Sequence, residues 1–183
     1  MPQLCDAARG QLLILDIQER LAGAMPADGM ATMTRNSGRL LEAAALLEVP
    51  VLRSEQYPRG LGPTVAALRD LLPPAMQGFE KTSFSCCGAD GFNAAIAARE
   101  QVVICGMETH VCVLQTALEL LAQGRDVYVV EDAVVSRTEA NQRNALERMR
   151  QAGVVITNYE SVLFEWLRNA RHEHFKAVSA LLK

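Results

Sequence analysis

The chain is poor in the residues that most often announce a metal site or an aromatic interface. Histidine occurs three times (His110, His172 and His174), tryptophan once, and aromatic residues make up 5% of the 183 positions. No Cys-x-x-Cys is present, so with so little imidazole no metal site is expected. The five cysteines (Cys5, Cys86, Cys87, Cys105 and Cys112) are an odd number, and adjacent Cys86 and Cys87 make a poor disulfide pair. Reduced thiols and a cytoplasmic location are the expectation. No apolar run approaches the roughly 18 residues that cross a bilayer. The start, Met-Pro-Gln-Leu-Cys-Asp, lacks the basic and apolar segments of a secretory leader. A concentrated basic field is missing as well. Eighteen Lys and Arg face 21 Asp and Glu, net −3 and scattered, so neither nucleic acid nor a membrane is an expected partner. Phosphate-cradling glycines are also lacking. Gly60-Leu61-Gly62-Pro63 has no third glycine, and Glu80 stands where a Walker-type loop needs glycine before Lys81.

What is present is an ordinary globular balance, 50% hydrophobic and 21% charged. At this length folding buries about 70% of the chain's surface, enough for one domain spanning residues 1–183. Apolar stretches alternate with helical patterns. Strands are expected at Gln11–Asp16, Val49–Arg53, Gly78–Lys81, Gln101–Gly106, Asp126–Val130 and Val154–Thr157. Helices are expected at Thr34–Glu48, Thr64–Leu72, Thr109–Gln123, Thr138–Ala152, Ser161–Asn169 and Phe175–Leu182, with Gly124 and Gly153 as stops. Such alternation predicts an α/β fold: a three-layer αβα sandwich, Rossmann-like, whose six-stranded parallel sheet runs in the order 3-2-1-4-5-6. In that topology ligands bind beyond the carboxyl ends of strands 1 and 4, which points to Asp16 and to the segment after Gly106.

Three side chains at strand ends are candidates for chemistry. Cys112 falls in the first turn of the helix after strand 4, with Thr109 as the expected N-cap. There, unpaired N–H groups and the helix dipole favour a thiolate and can bind an oxyanion; the other reading is a small core residue. Asp16 is either a turn cap or a partly desolvated general base. Lys81 is either a solvated surface lysine or the cation of a cluster with the other two. An acid, a lysine and a cysteine at the ends of three strands are the parts of covalent acyl transfer. His110 adjoins Cys112 in sequence but, two positions away on a helix, faces elsewhere.

The segments Leu-Leu-Ile-Leu-Asp16-Ile-Gln18, Phe79-Glu80-Lys81-Thr82-Ser83-Phe84-Ser85 and Gly106-Met107-Glu108-Thr109-His110-Val111-Cys112-Val113 resemble those of the isochorismatase-like cysteine hydrolases, as does Glu131-Asp132-Ala133-Val134-Val135-Ser136-Arg137. The stretch Ser54–Thr64 resembles more specifically the isochorismatase-domain-containing subgroup. The resemblance implies a triad of Asp16, Lys81 and Cys112 and a non-proline cis peptide at Met107–Glu108. It implies an oxyanion site made by the Glu108 and Cys112 amides. The activity implied is hydrolysis of a small amide or carbamoyl C–N bond without cofactor. Gln18, Tyr57, Leu61 and Phe84 are the substrate-contact candidates. Nicotinamidases of this superfamily bind a metal in the region matching Ser54–Leu61, where this chain has no histidine. True isochorismatases lack the nucleophilic cysteine, so Cys112 favours C–N hydrolysis. Helices rich in Ala, Leu and Met (117–122 and 145–152) suit a homo-oligomer. The alternatives are a binding or scaffold member with a vestigial pocket, and a redox-sensing thiol.

Overall fold

The computed structural model describes residues 4–74 and 76–182. Six strands form one all-parallel sheet in the order β3-β2-β1-β4-β5-β6: β1 Gly10–Leu15, β2 Val51–Gln56, β3 Gln77–Lys81, β4 Gln101–Met107, β5 Asp126–Val135 and β6 Val155–Thr157. The reason is legible in β1 and β4. Every residue of both is buried, as strands covered on two faces must be. Alternate side chains go to opposite layers. Leu12, Ile14, Val103 and Cys105 pack against α2 (Ala27–Leu46) and α8 (Tyr159–Leu167). Leu13, Leu15, Val102 and Ile104 pack with α6 (Leu114–Ala122) and α7 (Glu139–Ala152). Short helices complete the chain: α1 Glu19–Ala22, α3 Pro58–Leu61, α4 Ala66–Arg69, α5 Phe92–Ile96 and α9 Phe175–Ala180. The fold class and strand order are those expected.

The local differences have physical causes. Helix α2 begins at Ala27, seven residues before the expected Thr34. Pro26 sets its entry and Asp28 sits in its first turn, where a carboxylate complements the helix dipole. Gly29 hides the helical signal, yet it is where α2 approaches β5: a Cβ there would lie 3.0 Å from Val135 Cγ2. Strand β5 runs five residues past the expected Val130, because three extra residues bulge out between the Ile104–Val129 and Gly106–Val134 pairings. The helix expected over Thr64–Leu72 shortens to α4, with α3 before it. The helix expected from Thr109 opens instead as a π-turn, Thr109–Val113, and becomes α-helical only at Leu114.

Gly106 fixes the spacing of the two central strands. Its φ is +135°, and a Cβ there would lie 1.9 Å from the Leu15 carbonyl oxygen, which is backbone and has nowhere to go. Gly106→Ala is therefore expected to destabilise the fold by roughly 3 kcal/mol or more, read as a lowered midpoint in urea unfolding. A midpoint within 0.2 M of the parent would contradict this spacing argument.

Candidate active site

Parallel register brings the three candidate side chains together. Leu15 pairs with both Ser54 and Gly106, and Gln56 pairs with Lys81, so the residues just beyond β1, β3 and β4 share one end of the sheet. Asp16 leaves β1 in the left-handed region, φ 53°, and its N–H donates to the Ser54 carbonyl at 3.1 Å. Its carboxylate is fully buried. Oδ2 accepts from Lys81 Nζ at 2.7 Å and Oδ1 from Ser54 Oγ at 2.7 Å. The Cys112 thiol neighbours the same carboxylate closely enough to feel its charge. Lys81 Nζ also donates to Gln56 Oε1 at 2.6 Å, to the Phe84 carbonyl at 2.9 Å and to the Ser83 carbonyl at 3.2 Å. With no side-chain exposure and four acceptors around it, this ammonium is a fixed charge, not the solvated surface lysine of the simpler reading.

Burial pushes the Asp16 carboxyl up, opposed by the charge and hydrogen bond of Lys81 and by the Ser54 hydroxyl. The Cys112 thiol, 6% exposed, is pushed up to about 12 by burial and by the adjacent Asp16 charge, with Lys81 opposing. Burial and the Asp16 charge thus favour the protonated thiol, contrary to the expectation of a thiolate stabilised by the helix terminus. The dipole argument supposed a regular helix capped by Thr109. Glu108 instead occupies the N-cap position, and its carbonyl accepts the Val111 N–H at 3.1 Å and the Val113 N–H at 3.2 Å. Thr109 caps nothing, and its hydroxyl is buried without a partner among the described residues. The Met107–Glu108 peptide is cis. His110 turns away from the triad; its Nδ1 lies 3.0 Å from Ser136 Oγ.

The substrate-contact candidates divide. Gln18 is fully buried: its amide donates to the Gln56 carbonyl at 3.0 Å and the Gly62 carbonyl at 2.7 Å, and it accepts the Gln56 N–H at 2.7 Å. It ties α3 to the end of β2. Tyr57 and Phe84 are each 55% exposed, and Leu61 is half-buried. Tyr57 and Lys81 border a hollow of about 480 Å³ together with Arg59, Glu80 and Asp90. A larger hollow of about 630 Å³ lies at the opposite end of the sheet, around Ala44, Val51, Leu52 and Met76, away from the triad.

Several neighbours escaped the sequence reading. Ser54 and Gln56 lie on one face at the end of β2, a period-two signal that points them at Asp16 and Lys81. Cys86 is fully buried in a 3₁₀ turn, Cys86–Gly88. Its N–H donates to Thr116 Oγ1 at 3.0 Å, and its thiol neighbours Ser54 and the triad's charges. Glu55 is not available as a ligand, since Oε1 accepts both the Thr64 N–H and hydroxyl at 2.7 Å.

Because the Ser54 hydroxyl favours the ionised form of Asp16, Ser54→Ala should raise the Asp16 pKa further. A base must be ionised to act, so activity is lost as pH falls through that pKa. The acid limb of kcat/KM is thus expected above the ordinary aspartate range, and Ser54→Ala should move it to still higher pH. A limb that stays put or moves down would contradict Asp16 as the titrating group.

The isochorismatase domain family matches residues 11–161. Among known proteins, the chain is 40% identical over 177 residues to the secreted isochorismatase effector Isc1 of Phytophthora sojae, covering 94% of this chain and 83% of that protein. It is 38% identical over 175 residues to isochorismatase domain-containing protein 2 of Bos taurus, covering 94% and 82%. Among solved structures it is similar to the MAR1 ribonuclease of Caenorhabditis elegans, with a TM-score of 0.94 and 34% identity over 98% of this chain and 92% of that one. It is also similar to the YcaC product of Escherichia coli, described as an octameric hydrolase of unknown specificity, with a TM-score of 0.90 and 25% identity over 98% and 89%. A buried acid–lysine–cysteine cluster on a 3-2-1-4-5-6 parallel sheet, with the family match running along most of the chain, makes this chain a member of the isochorismatase family, similar in sequence to the isochorismatase-domain-containing proteins.

Proposed function

We propose that this chain, whose family membership supports a hydrolase-type function, hydrolyses a small amide or carbamoyl C–N bond through a thioester on Cys112. The observation that carries it is one buried carboxylate, Asp16, ion-paired with the Lys81 ammonium and lying beside the Cys112 thiol. Asp16 takes the thiol proton as Sγ bonds to the carbonyl carbon, and the carbonyl π-electrons move onto oxygen. The Glu108 and Cys112 amides receive that oxyanion; the Val111 and Val113 amides are already engaged by the Glu108 carbonyl. Asp16 then gives its proton to the nitrogen as the C–N bond breaks and amine leaves. It next removes a proton from water, which attacks the thioester. The S–C bond breaks and the proton returns to sulfur. Lys81 keeps the cluster balanced in charge, and the scheme is written without cofactor.

Tyr57, Leu61 and Phe84 are proposed to contact the substrate at the mouth, and Gln18 to support them through Gln56 and Gly62. Nucleic acid is not the proposed substrate: the protein carries net charge −3, and Lys81 is saturated by its four acceptors. A homo-oligomer is proposed from the half-exposed Tyr57, Phe84 and Phe164 and the octameric relative. A cytoplasmic location is proposed from the unpaired cysteines, and no helix of the described residues is long and apolar enough to cross a membrane.

The test is a screen of small amides, carbamoyl compounds, ureides and a single-stranded RNA, followed by acid quench and mass spectrometry. An acyl adduct on Cys112 is expected with an amide or ureide. An adduct only on another residue, or turnover of RNA alone, would overturn the scheme. The raised thiol pKa favours one competing reading, a binding or scaffold member whose thiol is inert. Under it, Cys112 acquires no acyl group from any compound and alkylates no faster than the half-exposed Cys87.

A further inference from the structure

The register of β4 and β5 decides what stands beside the catalytic turn. Met107 pairs with Val135, so the residues that continue each strand, Glu108 on one side and Ser136-Arg137 on the other, run on together. Arg137 grips the Glu108 carboxylate at three points. Its backbone N–H donates to Oε2 at 3.1 Å, Nε donates to the same oxygen at 2.9 Å, and Nη2 donates to Oε1. Glu108 is 5% exposed and held in its ionised form by the guanidinium, whereas the Arg137 side chain is more than half exposed. Next to it, Ser136 Oγ accepts the His110 N–H at 3.4 Å, and the Ser136 N–H donates to Gln142 Oε1 of α7 at 3.2 Å. Two consecutive residues at the end of β5 thus fasten the turn at Glu108 and at His110.

We propose that Arg137 is a positioning residue for acyl transfer, holding Glu108 so that its backbone N–H stays aimed at the developing oxyanion. This rests on the oxyanion reading above. An exposed ion pair ordinarily contributes little. Here the gripped carboxylate belongs to the residue whose own amide is the donor, so freeing the side chain frees the peptide plane. Misplacement of a pre-aimed donor by a fraction of an ångström weakens it only where charge develops, in the transition state.

Two probes of the full-length protein separate positioning from simple support. Acylation of Cys112 by p-nitrophenyl acetate passes through a tetrahedral oxyanion. Alkylation of the same sulfur by iodoacetamide is a displacement at a saturated carbon and forms none. Arg137→Ala is expected to slow acylation about 10- to 100-fold, with the half-saturating ester concentration and the iodoacetamide rate each changed less than about twofold. Arg137→Lys should recover part of the loss, because it keeps a charge but not the fork. Glu108→Gln should resemble Arg137→Ala, and the double substitution should add nothing further. Equal slowing of both probes, or unchanged acylation, overturns the inference while leaving the hydrolase reading in place. Failure of the unsubstituted protein to acylate at Cys112 overturns both.

Discussion

Cys112→Ala is expected to lower kcat by at least about 10⁴-fold without loss of structure, the scale seen when a nucleophile is deleted from a triad that acts as a unit. The side chain is small and sits in the π-turn just before α6, so its removal leaves a void of only one sulfur beside Asp16. The thermal midpoint should therefore stay within a few degrees, while burst kinetics and the acyl adduct vanish together. Turnover within tenfold of the parent by a well-folded Cys112→Ala protein would falsify covalent catalysis at this sulfur. Cys112→Ser is the stricter companion. It keeps the shape but presents a hydroxyl that Asp16 deprotonates far less readily, so it should be nearly as inactive.

Asp16→Asn couples rate and stability. The amide cannot serve as base, so kcat should again fall by about 10⁴-fold, the scale of an aspartate-to-asparagine change in a triad. It also leaves the Lys81 ammonium inside the protein without its charge partner, at 0% side-chain exposure. Breaking a buried pair from one side costs about 3–5 kcal/mol, whereas replacing both members with neutral groups of like size is often close to neutral. Urea unfolding of Asp16→Asn should therefore show the full loss, and the paired Asp16→Asn with Lys81→Met should regain most of the stability and none of the activity. A double substitution no more stable than the single one would mean that hydrogen bonding to Ser54, not charge balance, holds the cluster.

The pH behaviour has a sign that follows from the same burial. A carboxyl whose pKa is raised on folding binds its proton more tightly in the native than in the unfolded chain. Its own contribution to stability is therefore greatest below the ordinary aspartate value and declines as pH rises through the raised one. Activity runs the other way, increasing as Asp16 ionises. A thiol pushed up to about 12 adds no second limb near neutrality, so kcat/KM should remain level from the end of the acid limb to pH 9. A rise of kcat/KM between pH 7.5 and 9 would instead mark titration of the sulfur itself.

Much of the architecture could be read from the chain because its signals were local and mutually consistent. Gln-Leu-Leu-Ile-Leu and Gln-Val-Val-Ile-Cys are short apolar runs bounded by polar or glycine punctuation, and they became β1 and β4. Asp16 and Cys112 stood out because each follows one of those runs at the topological switch point. Strand β3 carried little signal, since as an edge strand it buries only Lys81 fully. The extra length of β5 was hidden because a three-residue register shift is set by its partner and not by its own sequence. The π-turn was hidden for a related reason: Thr109-His110-Val111 begins an ordinary helix by propensity, and only the Glu108 carbonyl accepting from Val113 widens it. Ser54, Gln56 and Arg137 required knowledge of pairing, which composition and periodicity do not contain. Gln18 was visible as a polar residue beside Asp16, but its hydrogen bonds turn out to run to Gln56 and Gly62.

The distribution of the other cysteines has a practical corollary. Cys105 lies in the central strand β4, Cys86 under the candidate active site and Cys5 against α8, all sequestered, whereas Cys87 is half-open to solvent. Thiol trapping under native conditions can thus serve as a residue-resolved map of opening. Cys87 sets the unprotected reference, and labelling of Cys105 requires the sheet's centre to come apart. The four probes are already built into the chain, so regional cooperativity can be measured without introducing a foreign label.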